Sequence, residues 1–137
     1  MLPKNHIILT ILFSIVLFIF NIPIFYIFLF FLAAVFIDVD HYMFYTKRKK
    51  DFSLSRAYYW HKNLPQHHLP TMHVFHTLEF LLIVGILSLF SKVILFIFLG
   101  FIYHSLLDIL EMIYHKQLDT REFSLIRYLV SNKKNYL

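Results

Sequence analysis

The chain has 137 residues, of which 59% are hydrophobic and 20% aromatic, and its formal net charge is +5. A mean hydropathy of +0.66 excludes an ordinary soluble domain, and the length excludes more than one domain. The chain has no cysteine, so disulfides and thiolate ligands are excluded and any metal would be held by nitrogen and oxygen atoms. The composition predicts an integral membrane protein with one domain over residues 1–137.

The first apolar stretch runs from residue 7 to residue 37 and is interrupted at Asn21-Ile22-Pro23. Asn21 is a helix-capping residue type and Pro23 suits the first turn of a helix, so we expect two helices over about 6–20 and 23–38. Each is shorter than the about 20 residues of a full span. The pair therefore crosses a thin bilayer or forms a partly re-entrant hairpin.

A polar connection follows over about 42–71. Its aromatic residues and its basic run Lys47 to Lys50 suit a membrane surface, where rings lie at headgroup depth and cations meet anionic lipid. Arg56 and Lys62 in this connection are candidates for binding an anionic substrate headgroup. The sequence shows no recognition helix beside the basic run, so nucleic-acid binding is not predicted.

Two further apolar helices are predicted over about 72–90 and 93–115, joined by a short turn. Beyond them, Asp119 with Glu122 three residues later resembles a capping box. The apolar residues that follow at helical spacing predict a short amphipathic helix over about 119–131, lying on the membrane. The predicted fold is all-α: an integral membrane four-helix bundle with an interfacial loop and a short C-terminal amphipathic helix.

The basic residues predict the topology. Of the thirteen Lys and Arg residues, only Lys92 lies between the third and fourth predicted helices. The positive-inside rule then predicts a multi-pass protein of the inner membrane with both termini in the cytoplasm. This topology brings four polar stretches to one depth near the cytoplasmic face: His6; Asp38, Asp40 and His41; His73 and His76; and residues 104 to 111.

The polar side chains in these stretches are candidates for metal binding. Ionisable groups inside apolar segments are costly, and they usually face a bundle interior and serve a function. The spacing of His104 with Asp108, of His73 with His76 and of His76 with Glu79 predicts shared helix faces. The same groups can instead form buried ion pairs between helices. Imidazole with carboxylate suits Zn²⁺ or Mn²⁺, and two carboxylates two residues apart can hold one ion or bridge two.

Three segments share their order and approximate spacing with known motifs. Residues 34–41 (AVFIDVDH) are similar to an LLPDIDH element, residues 68–73 (HLPTMH) have the spacing of HRGxTH, and residues 99–108 (LGFIYHSLLD) are similar to LGYxxHxxxD. On these motifs the chain resembles the membrane-bound metal-dependent hydrolase-like family, also described as LexA-binding inner-membrane hydrolase-like proteins. Leu69-Pro70 replaces the Arg-Gly pair of the family, and Arg56 or Lys62 could substitute for that arginine.

The resemblance implies a ligand set for one or two divalent ions, Zn or Mn. The ligands would be Asp38, Asp40, His41, His73, His104 and Asp108, with His76 as an alternative to His73 in the register. We predict that His76 or Glu79 is the general base and that His6, His68 and Glu111 support the ligands.

The predicted function is a divalent-metal-dependent hydrolase at the cytoplasmic face. Its partners would be membrane lipid and an amphipathic substrate, either a lipid or a lipid-linked ester or phosphoester. One alternative is a metal-ion carrier or sensor that uses the same His and Asp cluster. Another is a non-catalytic structural or assembly protein. The sequence leaves the oligomeric state open.

Overall fold

A computed structural model describes residues 3–65, 68–131 and 136 of the chain. The described residues form seven α-helices, two short β-strands and two 3-10 turns. The helices are α1 (Pro3–Ile19), α2 (Ile24–Phe36), α3 (Val39–Lys49), α4 (Leu54–Lys62), α5 (Leu78–Ser88), α6 (Lys92–Tyr114) and α7 (Leu125–Val130). The strands are β1 (Thr71–Met72) and β2 (Arg121–Glu122), and the 3-10 turns cover Val74–His76 and Leu118–Thr120.

Helix α6 packs against both α2 and α5, and α1 packs against α2. The contact between α2 and α6 is close at Gly100, where an added Cβ would lie 2.5 Å from the Phe30 carbonyl oxygen and 2.8 Å from Ala33 Cβ. Glycine is therefore required at this position by the approach of the two helices. The approach brings His104, about one turn further along α6, next to the backbone of α2.

The predicted division of the first apolar stretch is present, although the two residues at the break act differently from the prediction. Asn21 has a left-handed backbone with φ of 59° and follows the end of α1, so that it reverses the chain and does not cap α2. Pro23 lies immediately before α2, and its carbonyl oxygen accepts a hydrogen bond of 2.9 Å from Tyr26 N. Proline suits this place because it has no N–H group to satisfy.

The chain stays helical beyond the predicted end of the second helix at residue 38. Asp38 has helical backbone angles, and after the two turn residues Ile37 and Asp38 the chain continues as α3 as far as Lys49. The predicted loop over 42–71 therefore begins with a helix and contains a second one, α4. Asp38 in the turn and Asp40 in α3 are accommodated there because His side chains from other segments contact them.

The predicted third helix over 72–90 is wrong at its start, since helix α5 begins only at Leu78. Residues 71 and 72 instead form β1, which pairs in parallel with β2 through Thr71 opposite Arg121 and Met72 opposite Glu122. The Leu78 N–H also donates to the carbonyl oxygen of Phe123 at 2.9 Å. These long-range hydrogen bonds hold the chain before Leu78 out of a continuous α-helix.

The same pairing shortens the predicted amphipathic helix over 119–131. Helix α7 covers only Leu125–Val130, because residues 121 and 122 are strand β2. Ser124 caps α7, its side chain accepting a hydrogen bond from Arg127 N at 3.1 Å.

Two helical runs are long and apolar enough to cross a membrane, judged by length and composition. They are Ile24–Lys49, which joins α2 and α3, and Lys92–Tyr114, which is α6. Most of each apolar window faces outward, with 33% and 22% of the window residues buried. Helices α1 and α5 are apolar but shorter. The structure is thus mostly helical, with two candidate spans among the described residues where the sequence predicted four.

Candidate metal centre

His104 is held in one orientation by the backbone of α2. The side chain is 0% exposed, and its Nδ1 donates a hydrogen bond of 2.7 Å to the carbonyl oxygen of Ala34. Because a carbonyl oxygen only accepts, Nδ1 carries a proton and Nε2 is the ring atom left for another partner. Nε2 is buried without a hydrogen bond, 3.3 Å from Asp38 Oδ1 and 3.7 Å from Asp108 Oδ2.

His76 approaches the same carboxylates from the 3-10 turn before α5. Its Nδ1 lies 3.1 Å from Asp40 Oδ2, which also accepts a hydrogen bond of 3.0 Å from Phe75 N. Its Nε2 is buried without a hydrogen bond, 3.8 Å from Asp38 Oδ1 and 3.7 Å from Asp108 Oδ2. A histidine that donates one N–H to a carboxylate and points the other nitrogen into a polar site has the orientation of a metal ligand.

The first group of donors therefore comprises Asp38, His76, His104 and Asp108. One ligand atom from each of these residues lies within 4.8 Å of the others. Two imidazole nitrogens and two carboxylate oxygens are a donor set that suits Zn²⁺ or Mn²⁺. The two buried Nε2 atoms without partners are what a divalent cation would satisfy, so these residues fit a metal ion.

A second group lies beside the first and comprises Asp40, His41 and His73. His41 Nδ1 is 3.0 Å from Asp40 Oδ1 and 3.3 Å from Asp38 Oδ1, so His41 faces both aspartates. The His41 and His73 rings stack with their centroids 3.7 Å apart. Because both groups contact the segment from Asp38 to His41, they form one continuous cluster that can hold one or two ions.

Thr71 on β1 orients His73. The Thr71 hydroxyl donates to the Thr120 carbonyl oxygen at 3.3 Å and accepts from His73 Nε2 at 3.0 Å. This arrangement leaves His73 Nδ1 buried without a hydrogen bond, 3.9 Å from Asp40 Oδ1. The strand pair thus places a third imidazole nitrogen at the cluster.

Burial lowers the pKa values of the two histidines that come from the segment before α5. The pKa of His76 falls to about 4, and that of His73 falls well below its usual value, in both cases because burial disfavours the charged ring. Both rings are therefore neutral at pH 7. A neutral imidazole is the form that binds a metal ion.

His6 of α1 contacts two residues of the cluster. Its Nε2 lies 3.0 Å from Asp108 Oδ1, and its ring stacks on His104 with centroids 3.9 Å apart. These contacts hold Asp108 with Oδ2 turned toward the nitrogens of His76 and His104.

Arg121 is part of the cluster and was not among the residues singled out from the sequence. Its Nη2 lies 2.8 Å from Asp108 Oδ2, and its side chain is only 10% exposed. Its position depends on β2 pairing with β1, fifty residues earlier in the chain. A strand of two residues carries no alternating pattern, so the sequence offers no signal for this placement.

Glu79 and Arg56 lie outside both the cluster and the cavity beside it. The Glu79 carboxylate accepts hydrogen bonds from Ser124 Oγ at 2.6 Å, Leu125 N at 2.9 Å and Ile126 N at 3.2 Å, so it holds the start of α7. Arg56 is 72% exposed and pairs with Asp51 through Nε at 2.6 Å. The geometry thus favours neither Glu79 as a general base nor Arg56 as a headgroup ligand, and it gives His76 the position of a ligand.

A partly open cavity of about 680 Å³ adjoins the cluster. Four of the cluster residues, Asp38, His41, His73 and Asp108, line its floor, together with Arg121. The predicted residues Lys62, His68 and Glu111 also line it, beside an apolar surface from Leu54, Ala57, Tyr58, Leu64 and Met112. The cavity thus joins the candidate metal centre to both cationic and apolar side chains.

Comparison of the chain with known proteins adds no relative to this description. No family model, curated protein or solved structure matches it. The resemblance to the hydrolase-like family therefore stays a prediction from the three motifs, and the functional argument below rests on the residues of the cluster.

Proposed function

We propose that the protein is a divalent-metal-dependent hydrolase embedded in the membrane, acting at the cytoplasmic face on a lipid or a lipid-linked ester. One observation carries the proposal. The Nε2 atoms of His76 and His104 are buried without hydrogen bonds and face the Asp38 and Asp108 carboxylates at the floor of a cavity.

Charge supports a cation in this place. Asp38, Asp40 and Asp108 lie within one cluster, where Arg121 supplies one positive charge beside Asp108, and the remaining negative charge in this largely buried site favours a further cation. His73 and His76 are neutral, so they provide nitrogen donors but no charge. A divalent ion would satisfy the orphaned nitrogens and balance the carboxylates together.

The metal ion and the residues of the protein would supply different parts of the chemistry. When bound, a Zn²⁺ or Mn²⁺ ion polarises an ester oxygen and lowers the pKa of water toward neutrality. Asp40 orients His76, the Ala34 carbonyl orients His104, and Thr71 orients His73, so the chain supplies ligands that are already in position. The cavity beside them gives room for an ester and for water.

A membrane setting is proposed from the outward-facing apolar surface. In this proposal the shorter helices α1 and α5 cross the membrane together with the two candidate spans, which makes the protein multi-pass. The positive-inside rule favours both termini and the cluster at the cytoplasmic side, because of the basic residues in the described part of the chain only Lys92 lies at the turn between α5 and α6. A site at that depth favours a substrate with both polar and apolar parts.

The test begins with metal content. Wild-type protein purified in detergent is expected to retain one or two equivalents of Zn or Mn by elemental analysis, whereas Asp38→Asn and His104→Asn lose most of it. Asp51→Asn is the matched control, because Asp51 pairs with Arg56 outside the cluster and its loss is expected to leave metal content unchanged. Equally low metal in all four proteins would refute the proposal and favour a cluster that only holds helices together.

Hydrolysis is tested on the same preparations. Metal-loaded wild type is expected to cleave p-nitrophenyl esters of short-chain acids or of phosphate, and a chelator or His104→Asn is expected to abolish the reaction. Metal binding that is reversible and accompanied by no hydrolysis of either substrate class would instead favour a carrier or sensor.

A further inference from the structure

Arg121 lies between the ligands of the cluster and the cavity. Its Nη2 is 2.8 Å from Asp108 Oδ2, the oxygen that lies 3.7 Å from both His76 Nε2 and His104 Nε2. Its side chain is 10% exposed and lines the cavity together with Asp108. The guanidinium is thus adjacent to the position that the metal ion would take.

The strand pair holds Arg121 in this place. Thr71 of β1 is paired with Arg121 of β2, and Thr71 is also the residue that orients His73. The segment that places one ligand therefore also places the arginine. An arginine held beside the cluster can contact a ligand that binds there.

The contact between Arg121 and Asp108 leaves donors for a ligand. The contact of 2.8 Å joins one guanidinium nitrogen, Nη2, to one oxygen of Asp108. A guanidinium has five N–H donors in a planar fork, which matches the oxygens of a phosphoryl group.

Charge balance selects the kind of ligand. Arg121 lines the cavity beside the candidate metal centre, so a ligand that reached both the metal ion and this arginine would be attracted to both if it carried an anionic oxygen. A phosphoester carries such oxygens before it reacts, whereas a carboxylic ester is neutral. Lys62 lies on the same cavity and adds to the preference for an anion.

We propose that Arg121 binds a phosphoryl oxygen of an amphipathic phosphoester whose apolar group lies against Leu54, Tyr58 and Met112. The inference rests on the proposed function and names its substrate class. In the hydrolysis, a water oxygen forms a bond to phosphorus and the ester P–O bond breaks. A proton from the water passes to the departing alkoxide, giving an alcohol and a phosphate. Arg121 binds the non-bridging oxygen throughout.

The test measures binding, separately from turnover. Metal-loaded protein in detergent is titrated by calorimetry with inorganic phosphate, hexylphosphonate and hexanol, none of which has an ester bond to hydrolyse. Wild type is expected to bind hexylphosphonate more tightly than inorganic phosphate, and hexanol weakly. Arg121→Gln is expected to lower the affinity for both anions by about tenfold or more, since it removes a charge-assisted contact. Arg127→Gln is the matched control, because Arg127 is exposed and pairs with Glu122.

Arg121→Lys keeps a cation beside Asp108. It replaces Arg121→Gln as the test variant if the glutamine substitution alters metal content. It is expected to retain the metal and to show an intermediate phosphate affinity, because lysine lacks the planar fork. Unchanged phosphate affinity in a variant that retains metal would overturn the role of Arg121 and leave the proposed function standing. Equal affinity for hexylphosphonate and inorganic phosphate would overturn the proposal that the substrate is amphipathic. A wild-type protein that binds no metal would refute the proposed function itself.

Discussion

His104 of α6 donates a hydrogen bond of 2.7 Å from Nδ1 to the carbonyl oxygen of Ala34 in α2. The contact joins the two helices that carry the candidate spans and turns Nε2 of the same ring toward Asp38 and Asp108. The same hydrogen bond therefore contributes to helix packing and to ligand orientation. A change that separates α2 from α6 should also displace His104 and weaken metal binding.

Gly100→Ala tests this coupling. An added Cβ would lie 2.5 Å from the Phe30 carbonyl oxygen, a backbone atom that cannot move aside alone. Overpacking of this kind costs about 1–3 kcal/mol, which exceeds the gain of about 1 kcal/mol that alanine brings to a helix. We expect a lower midpoint of thermal unfolding in detergent and weaker metal binding.

Gly85→Ala is the control for this substitution. A Cβ at Gly85 would meet Phe98 Cζ at 3.1 Å, which is the far end of a side chain that can adjust. Its unfolding midpoint and metal affinity should match or exceed those of wild type. A Gly100→Ala protein as stable as wild type would contradict the close approach of the two helices.

Thr71→Val tests the second group of ligands. The substitution removes the hydroxyl that accepts from His73 Nε2 and donates to the Thr120 carbonyl oxygen, while the volume stays similar. Loss of a residue that orients a ligand typically lowers metal affinity by about 10–100-fold. Calorimetric titration should show a weaker second binding event with the first retained. Thr46→Val, which loses an exposed hydrogen bond to Met43, should bind as wild type does.

Glu79→Gln tests whether this carboxylate is structural. The carboxylate accepts hydrogen bonds from Ser124 Oγ and from the backbone N–H groups of Leu125 and Ile126, so it holds the start of α7. Glutamine removes the charge and leaves a single acceptor oxygen. At pH 7, hydrogen exchange of the α7 amides should be slow in wild type. In the variant it should be faster at the same pH, with metal content unchanged. Loss of metal or of hydrolysis with α7 intact would instead restore a role for Glu79 at the centre.

The absence of cysteine from the sequence allows a direct test of topology. Single substitutions Lys4→Cys, Lys92→Cys and Arg127→Cys can each be labelled with a membrane-impermeant maleimide. In intact spheroplasts we expect only the cysteine at position 92 to react, and in inverted vesicles only those at positions 4 and 127. Labelling of position 4 from outside would contradict the proposed orientation of α1.

The sequence by itself predicts the helical character of the chain and the polar stretches that interrupt it. Runs of apolar residues and the cost of burying ionisable groups are local properties, and they can be read without coordinates. The prediction that Asp38, His104 and Asp108 come together depended on one further inference, the common depth of their segments. These residues do lie in one group in the structure.

Only the tertiary structure decided how His73, His76 and Arg121 are placed. The pairing of β1 with β2 joins residues fifty positions apart, and it overrides the helix expected over 72–78. Two-residue strands contain no periodic pattern, so their partners are determined by the packing of the whole chain. The arginine beside Asp108 and the threonine behind His73 follow from that pairing, because both are carried by the strands that make it.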